Sequence, residues 1–505
     1  MAFMRMSASA AIVAAVSLCV LPRANADDKT DASGMQLPAH VETHRTVQLA
    51  GKPVDYDAIA ETIGLTDQKG EPTASIFTIS YLAKSSGGAP RSVAFVFNGG
   101  PGAASVFLQL GAIGPVVLDM PGDGRAPEPP VRLVDNPDSW LAFTDLVFVD
   151  PVGTGFSRAT GKDGNADKSF WNVHADLSSL AAVVRRWLIR HQRWGSPVYL
   201  VGESYGGLRA AALPDTMARD VGVTVNGMVL LSPALDTEIL HPDTTDLLAP
   251  AFEIPSFAAS ASVLSGQPAD KLDMAPVEQF ALSDYLLGLA AMRGVPGGND
   301  PFIARIAGMT GLSEDIIRRE RGRVTGGVFT HELRRAQSSI LSLYDATVGR
   351  AGDANPWSDR AGDPVLDPAT AAYTSGFEQY AEGTLGYKTE QPYYTLSHQV
   401  AQQWDWDGAA GHESGLGLAL SSLQNTLLAH PGTKVLIANG RYDLVTPYLA
   451  SRWLIDQLAI PPEIRDRIRL RVYEGGHMMY MRPPSRAALS ADAAALFATD
   501  AAPAH

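Results

Sequence analysis

Beyond about residue 75 the chain alternates short runs of apolar residues with stretches whose apolar positions recur every three or four residues. Val93 to Phe97 is a continuous apolar run that stops at Asn98-Gly99-Gly100-Pro101-Gly102, a dense turn signal. Leu146 to Val149 is a second such run, closed by Asp150-Pro151-Val152-Gly153-Thr154-Gly155. Val173, Leu177, Leu180, Val184, Trp187 and Leu188 then fall on one face of a helix over 173–188. Pro197 opens a strand at Val198 to Val201, a helical pattern resumes after Ser204, and Val225 to Leu231 and Lys434 to Ala438 read as further strands. Strands alternating with helices predict an α/β protein with a mostly parallel sheet covered on both faces.

Two stretches break this rhythm. Residues 27 to about 75 are polar and punctuated by Pro and Gly, and are expected to wrap the surface or form an edge. Residues 237–410 are irregular and carry Trp357, Trp404 and Trp406, after which strand-like runs return. The expected organisation is therefore a core in two parts, 27–236 and 411–505, with 237–410 inserted as a cap.

The first 26 residues stand apart. Arg5, the apolar run Ala8 to Leu21 and the small-x-small triplet Ala24-Asn25-Ala26 predict a secretory leader cleaved after Ala26, too short to serve as a membrane span. The expected location is therefore outside the cytoplasm, periplasmic or secreted, with no stable membrane anchor. Cys19 is the only cysteine, so a processed chain would contain none, which excludes thiol catalysis, cysteine-bound metals and disulfides.

A length of 505 residues with 46% hydrophobic and 19% charged residues allows one large core plus an insertion. The net charge of −14, without any basic cluster, makes nucleic acid an unsuitable partner. His331-Glu332 and His412-Glu413 each lack the second histidine four positions on that a zinc-binding helix needs, so no metal site is expected.

The candidate chemistry centres on Gly202-Glu203-Ser204-Tyr205-Gly206, a G-x-S-x-G motif between an apolar strand and a helix. A chain turning this sharply needs glycines where the backbones approach closely. The serine hydroxyl becomes a nucleophile only when a base takes its proton and an acid orients that base. In the α/β-hydrolase order of serine, acid, histidine, the acid is Asp443, just past a strand end, and the base is His477, in Glu474-Gly475-Gly476-His477 after the strand Ile468 to Tyr473. Acyl transfer also needs donors for the oxyanion. The backbone N–H of Tyr205 is one, and the Gly99-Gly100 turn is the place for the other.

Together with Asn136-Pro137-Asp138-Ser139-Trp140 and Gly476-His477-Met478, these motifs resemble the serine carboxypeptidase family over roughly residues 75–235 and 430–485. The resemblance implies a cofactor-free exopeptidase acting on peptides with a free C-terminus, usually best in acid. It assigns Ser204, Asp443 and His477 to the triad, and Gly100 and Tyr205 to the oxyanion hole. It also assigns Asn98, Gly99 and a protonated Glu203 to the substrate carboxylate. Relatives carry a glutamate partner for that acid two residues before a Gly-Pro pair, where this chain has Ala112. Removing a like charge favours ionisation, so Glu203 is expected to titrate lower and the enzyme to depend less on acid than its relatives. An esterase or acyltransferase would use the same triad, and a non-catalytic binding protein could keep the same fold. The sequence leaves the oligomeric state open.

Overall fold

The computed structural model describes residues 37–84, 90–160, 166–236, 239, 245–268, 271–292, 300–352, 362–406 and 415–498. The expected leader with Cys19, part of the 237–410 stretch, and His412-Glu413 lie outside the described residues.

The scaffold is one twisted sheet. Its strands are β1 (His40–Leu49), β2 (Lys52–Thr66), β3 (Pro72–Ala83), β4 (Val93–Phe97), β5 (Asp145–Val149), β6 (Val198–Glu203), β7 (Gly227–Leu231), β8 (Lys434–Gly440) and β9 (Ile468–Tyr473). Their spatial order is β1-β2-β3-β5-β4-β6-β7-β8-β9, with a short strand at Arg158–Ala159 pairing with β3. Strands β5 to β9, with β4, run parallel, while β1, β2 and β3 add antiparallel at one side. The exchange of β4 and β5 in the order, with parallel crossovers on both faces, is the α/β-hydrolase fold expected from the sequence.

Period-two alternation sorts each strand's side chains between two cores. In β4, Ala94 and Val96 enter one apolar layer, whereas Val93, Phe95 and Phe97 enter the other. Both sets are fully buried, which explains why the strand is apolar at every position rather than at alternate ones. The second layer is closed by α1 (Val173–Arg190) and α2 (Tyr205–Thr216). Asn172 caps α1 by accepting the Ala175 N–H at 2.9 Å, a local start signal that agrees with the helical pattern.

The polar-looking N-terminal stretch does form an edge, and a long one. Strand β2 buries Tyr56, Ala58 and Ala60 in one layer and Ile63 and Leu65 in the other. Interleaved Asp55, Asp57 and Glu61 hid that alternation from a composition-based reading.

The stretch 237–410 packs in two ways. Helix α3 (Leu248–Leu264) and shorter helices up to Glu332 form a separate apolar cluster. By contrast, α4 (Leu366–Tyr380) lays Tyr373, Phe377 and Tyr380 into the first sheet layer. Helix α5 (Gly415–Ala429) joins the second layer, and α6 (Tyr448–Asp456) presents Tyr448 and Leu449 to the α3 cluster. The last helix among the described residues is α7 (Pro483–Ala498), whose Leu489, Ala493 and Leu496 return to the first layer. Among the described residues no helix is long and apolar enough to cross a membrane.

Candidate active site

Ser204 sits at the junction of β6 and α2 with φ 59° and ψ −124°, a conformation that a side-chain-bearing residue adopts only when its surroundings enforce it. The enforcement is visible in the flanking glycines. A Cβ on Gly202 would lie 1.8 Å from the Gly206 carbonyl oxygen, and one on Gly206 would lie 2.3 Å from that of Phe97. The Ser204 N–H donates to Leu231 O at 2.9 Å, tying the turn to β7.

The glycine-rich turn after β4 lies directly against this elbow. A Cβ on Gly99 would meet Tyr205 N at 2.6 Å and Ser204 Cβ at 2.9 Å. Gly100 has φ +95°, in the left-handed region that glycine alone enters freely. Two further motifs tie down the segment that follows this turn, residues 105–114. Asp150 Oδ1 accepts the Ser105 N–H at 2.8 Å, and Asn136 Nδ2 donates to the carbonyls of Ala112 and Gly114 at 3.0 and 2.8 Å.

Asp443 follows β8, and His477 follows β9. His477 Nδ1 stands 2.9 Å from Asp443 Oδ2. With Nδ1 donating to the carboxylate, Nε2 is left as the basic nitrogen. Asp443 Oδ1 accepts the N–H groups of Val445 and Thr446 at 2.7 and 2.9 Å, so the residue is both a turn cap and a partner for histidine. Burial alone would raise this carboxyl, but His477 and the bonds from Thr446 outweigh it and hold Asp443 below the usual carboxylate range. Burial likewise opposes charge on His477, yet Asp443 and Glu203 together push the imidazole above its ordinary value.

The structure gathers Asn98, Gly99, Gly100, Glu203, Ser204 and His477 around one small cavity of about 110 Å³. Asp443 stands behind His477, and Tyr205 follows the nucleophile at the head of α2. Sequence reasoning missed several groups there, four of which bear on the histidine and the wall. Thr446 Oγ1 lies within 2.7 Å of Asp443 Oδ2 and 3.1 Å of His477 Nδ1. The Tyr344 carbonyl accepts the His477 N–H at 2.5 Å, with the Tyr344 ring edge-on to the imidazole. Leu366 and Leu396 form apolar wall. The Thr446-Pro447 pair gave a local signal, as the start of α6; the other three come from the 237–410 stretch and gave none.

Glu203 holds its proton more tightly than an ordinary carboxyl. It is 3% exposed, and burial pushes its carboxyl up to about 7 despite bonds from Tyr480 and Asn98 and the nearby imidazole of His477. Desolvation, without a carboxylate at position 112, is enough to raise the acid in the direction that a protonated Glu203 requires.

One exposed trio outside the site, Glu42, His44 and Asp57, brings three potential metal-ligand atoms together on β1 and β2.

A serine carboxypeptidase family model matches residues 60–265. A carboxypeptidase Y homolog of Arthroderma benhamiae is 30% identical over 240 residues, 44% of each chain. A serine carboxypeptidase-like protein of Arabidopsis thaliana is 34% identical over 120 residues, covering 23% of this chain and 25% of that one. The retinoid-inducible serine carboxypeptidase of Rattus norvegicus is 35% identical over 119 residues, 23% of each. The chain thus spans less than half the length of these relatives. The solved structure of esterase E22 covers 91% of this chain at 12% identity with a TM-score of 0.38, which adds nothing to the sheet order above. The stretch that matches the serine carboxypeptidase family model, residues 60–265, carries the nucleophile candidate Ser204.

Proposed function

We propose that the protein is a serine-type carboxypeptidase that hydrolyses the last peptide bond of chains with a free C-terminus. The observation that carries this reading is the placement of Glu203 and Asn98 in the wall of the same cavity as Ser204. A triad serves any acyl transfer, but a neutral acid and an amide beside it suit a substrate carboxylate.

In this reading Ser204 Oγ attacks the scissile carbonyl carbon while His477 Nε2 takes its proton, and Asp443 stabilises the imidazolium. The oxyanion receives N–H bonds from Tyr205 and Gly100. The proton on His477 then passes to the leaving amine, and water attacks the acyl-enzyme by the reverse route. Protonated Glu203 donates to the substrate's terminal carboxylate, supported by Asn98 and the Gly99 backbone. A larger cavity of about 750 Å³ shares Val445 with this one as a lining residue and offers room for the acyl part of a peptide. None of these steps calls for a cofactor.

The pH dependence has two limbs. Glu203, raised to about 7, loses its donor proton as pH rises through that value, so binding of free-acid substrates weakens. His477 is raised above its ordinary value, so its base form is lost as pH falls. A bell-shaped kcat/KM for free-acid substrates is the expected result.

The division of the chain into 27–236, 237–410 and 411–505, with residues 1–26 as a leader that exports the protein to the periplasm or medium, belongs to the same proposal. It rests on the leader-like pattern and, for the first part of 237–410, on the separate α3 cluster, whereas α4 in the second part packs on the sheet.

The test compares a blocked dipeptide bearing a free C-terminus with its amidated twin. Cleavage of the first at least tenfold faster is expected; equal rates would sink the carboxypeptidase reading in favour of a general esterase or acyltransferase. Labelling by a serine-directed phosphonate, lost in Ser204→Ala, separates both from an inert binding protein.

A further inference from the structure

The acid at the heart of this site is held by a group that the proposed reaction does not explain. Tyr480 Oη lies 3.1 Å from Glu203 Oε1 and 2.8 Å from Oε2, so a single phenol reaches both carboxyl oxygens. Asn98 Nδ2 donates to Oε2 as well. Tyr480 is fully buried in the short helical turn Met479–Met481, three residues after His477. The turn that carries the base therefore also carries a partner for the carboxyl.

The neighbourhood of Tyr480 is crowded on the side of residue 112. A Cβ on Gly111 would lie 2.8 Å from Tyr480 Cε2 and 2.2 Å from Tyr373 Oη. Two phenols thus pack against Gly111, next to Ala112, where the resemblance would place a carboxylate partner. They are not equivalent. Tyr373 Oη is buried without a hydrogen-bond partner among the described residues, while Tyr480 Oη is committed to Glu203.

We propose that Tyr480 is a positioning residue for Glu203, clamping both carboxyl oxygens so that the acid keeps one orientation toward the cavity and ionises within the working pH range. The proposal deepens the carboxypeptidase reading and rests on it for the substrate consequence, but not for the clamp itself. The chemistry is one of donor and acceptor count. The Tyr480 phenol, whose proton burial and Glu203 hold well beyond its ordinary range, donates to the carboxylate form and stabilises it. A second carboxyl in its place would share a proton and oppose the carboxylate. Tyrosine therefore tunes in the direction opposite to a carboxyl pair, against the burial that raises the acid.

Other groups act on the same acid. His477 favours its ionisation and Asp443 opposes it. Tyr344 and Tyr373 also sense its charge, but their own phenols are pushed far above the ordinary value and stay neutral. None of these four makes a hydrogen bond to Glu203, which leaves Tyr480 and Asn98 as its direct partners among the described residues.

The test uses the whole protein and two readouts. The first is the infrared carbonyl band of the protonated Glu203 carboxyl, identified by its loss in Glu203→Gln and followed from pH 4 to 9. Tyr480→Phe removes only the hydroxyl, so the band should persist to higher pH, with its midpoint moved upward by about one pH unit, the worth of a hydrogen bond to a charged group. Tyr373→Phe should leave the midpoint where it was. The second readout is the KM of the blocked free-acid dipeptide across the same range. In Tyr480→Phe its rise with pH should shift upward by the same amount, with little change in kcat at low pH. A midpoint unmoved in Tyr480→Phe, or moved equally in Tyr373→Phe, overturns the proposal. A moved infrared midpoint with no rise of KM in either protein supports the clamp and discards the carboxypeptidase reading, so the two failures are told apart.

Discussion

The loop that presents Ser204 and the stretch that faces His477 build the same cavity by opposite means. Around Ser204 the constraint is backbone: Gly202, Gly206 and Gly99 are glycines because a Cβ at any of them would collide with main-chain atoms. Around His477 the constraint is side-chain delivery and long-range packing. The Tyr344 carbonyl holds the His477 N–H, and Leu366 and Leu396 supply wall from segments remote in sequence. A backbone constraint leaves a short local signature in the chain. A delivered side chain leaves none, because any segment that packs correctly can deliver it. The first kind is the stretch matched to a known family, and the second lies largely beyond residue 265.

Breaking the first region should have the larger effect. Gly99→Ala places a methyl against Tyr205 N and the Glu203 carbonyl, beside the proposed oxyanion donors, and should lower kcat by about 10²–10³ and lower the melting temperature as well, because backbone must shift to admit it. Single-turnover kinetics together with a thermal melt check this, and an active variant would remove the turn from the reaction.

In the second region the expected change concerns selectivity. Leu366→Ala widens the cavity without touching a hydrogen bond, so kcat/KM for substrates with bulky apolar C-terminal residues should fall about tenfold while small ones change little. A panel of blocked dipeptides reads this directly. A uniform loss across the panel would mean that Leu366 acts through the fold.

The smallest effect is on stability and belongs to α3. Glu253 accepts the Gly326 N–H at 3.0 Å, and burial raises its carboxyl to about 8. A raised acid stabilises the folded state fully below its unfolded value of about 4.3, and that contribution is lost as pH rises through the folded value. The wild-type melting temperature should therefore fall between pH 5 and pH 8. In Glu253→Gln that fall should be smaller by about 1–2 °C, because the variant has no proton to lose. Scanning calorimetry at several pH values tests it, and parallel curves for the two proteins would show that Glu253 does not titrate in this window.

Much of the fold was legible because its central strands are buried on both faces. Val93–Phe97, Val198–Val201 and Lys434–Ala438 are apolar at nearly every position, and only a covered parallel strand requires that. Strand β2 was less legible, since Asp55 and Asp57 flank buried Tyr56 and Glu61 is a charged residue at a buried position, so the strand mimics a polar surface segment. Helix α4 was hidden for another reason: its role depends on which layer it packs against, and that is decided by residues far from it.

The same division runs through the site. By itself the sequence determined the strained serine, the glycines around it and the order of acid and base, because these follow from local turn geometry and from strand ends. Only the tertiary structure decided the wall of the cavity, the hydroxyl of Thr446 beside Asp443, the phenol of Tyr480 on Glu203, and the burial that sets that acid's proton affinity. Hydrogen-bond partners and desolvation are properties of what surrounds a residue in space, and its neighbours along the chain do not specify them.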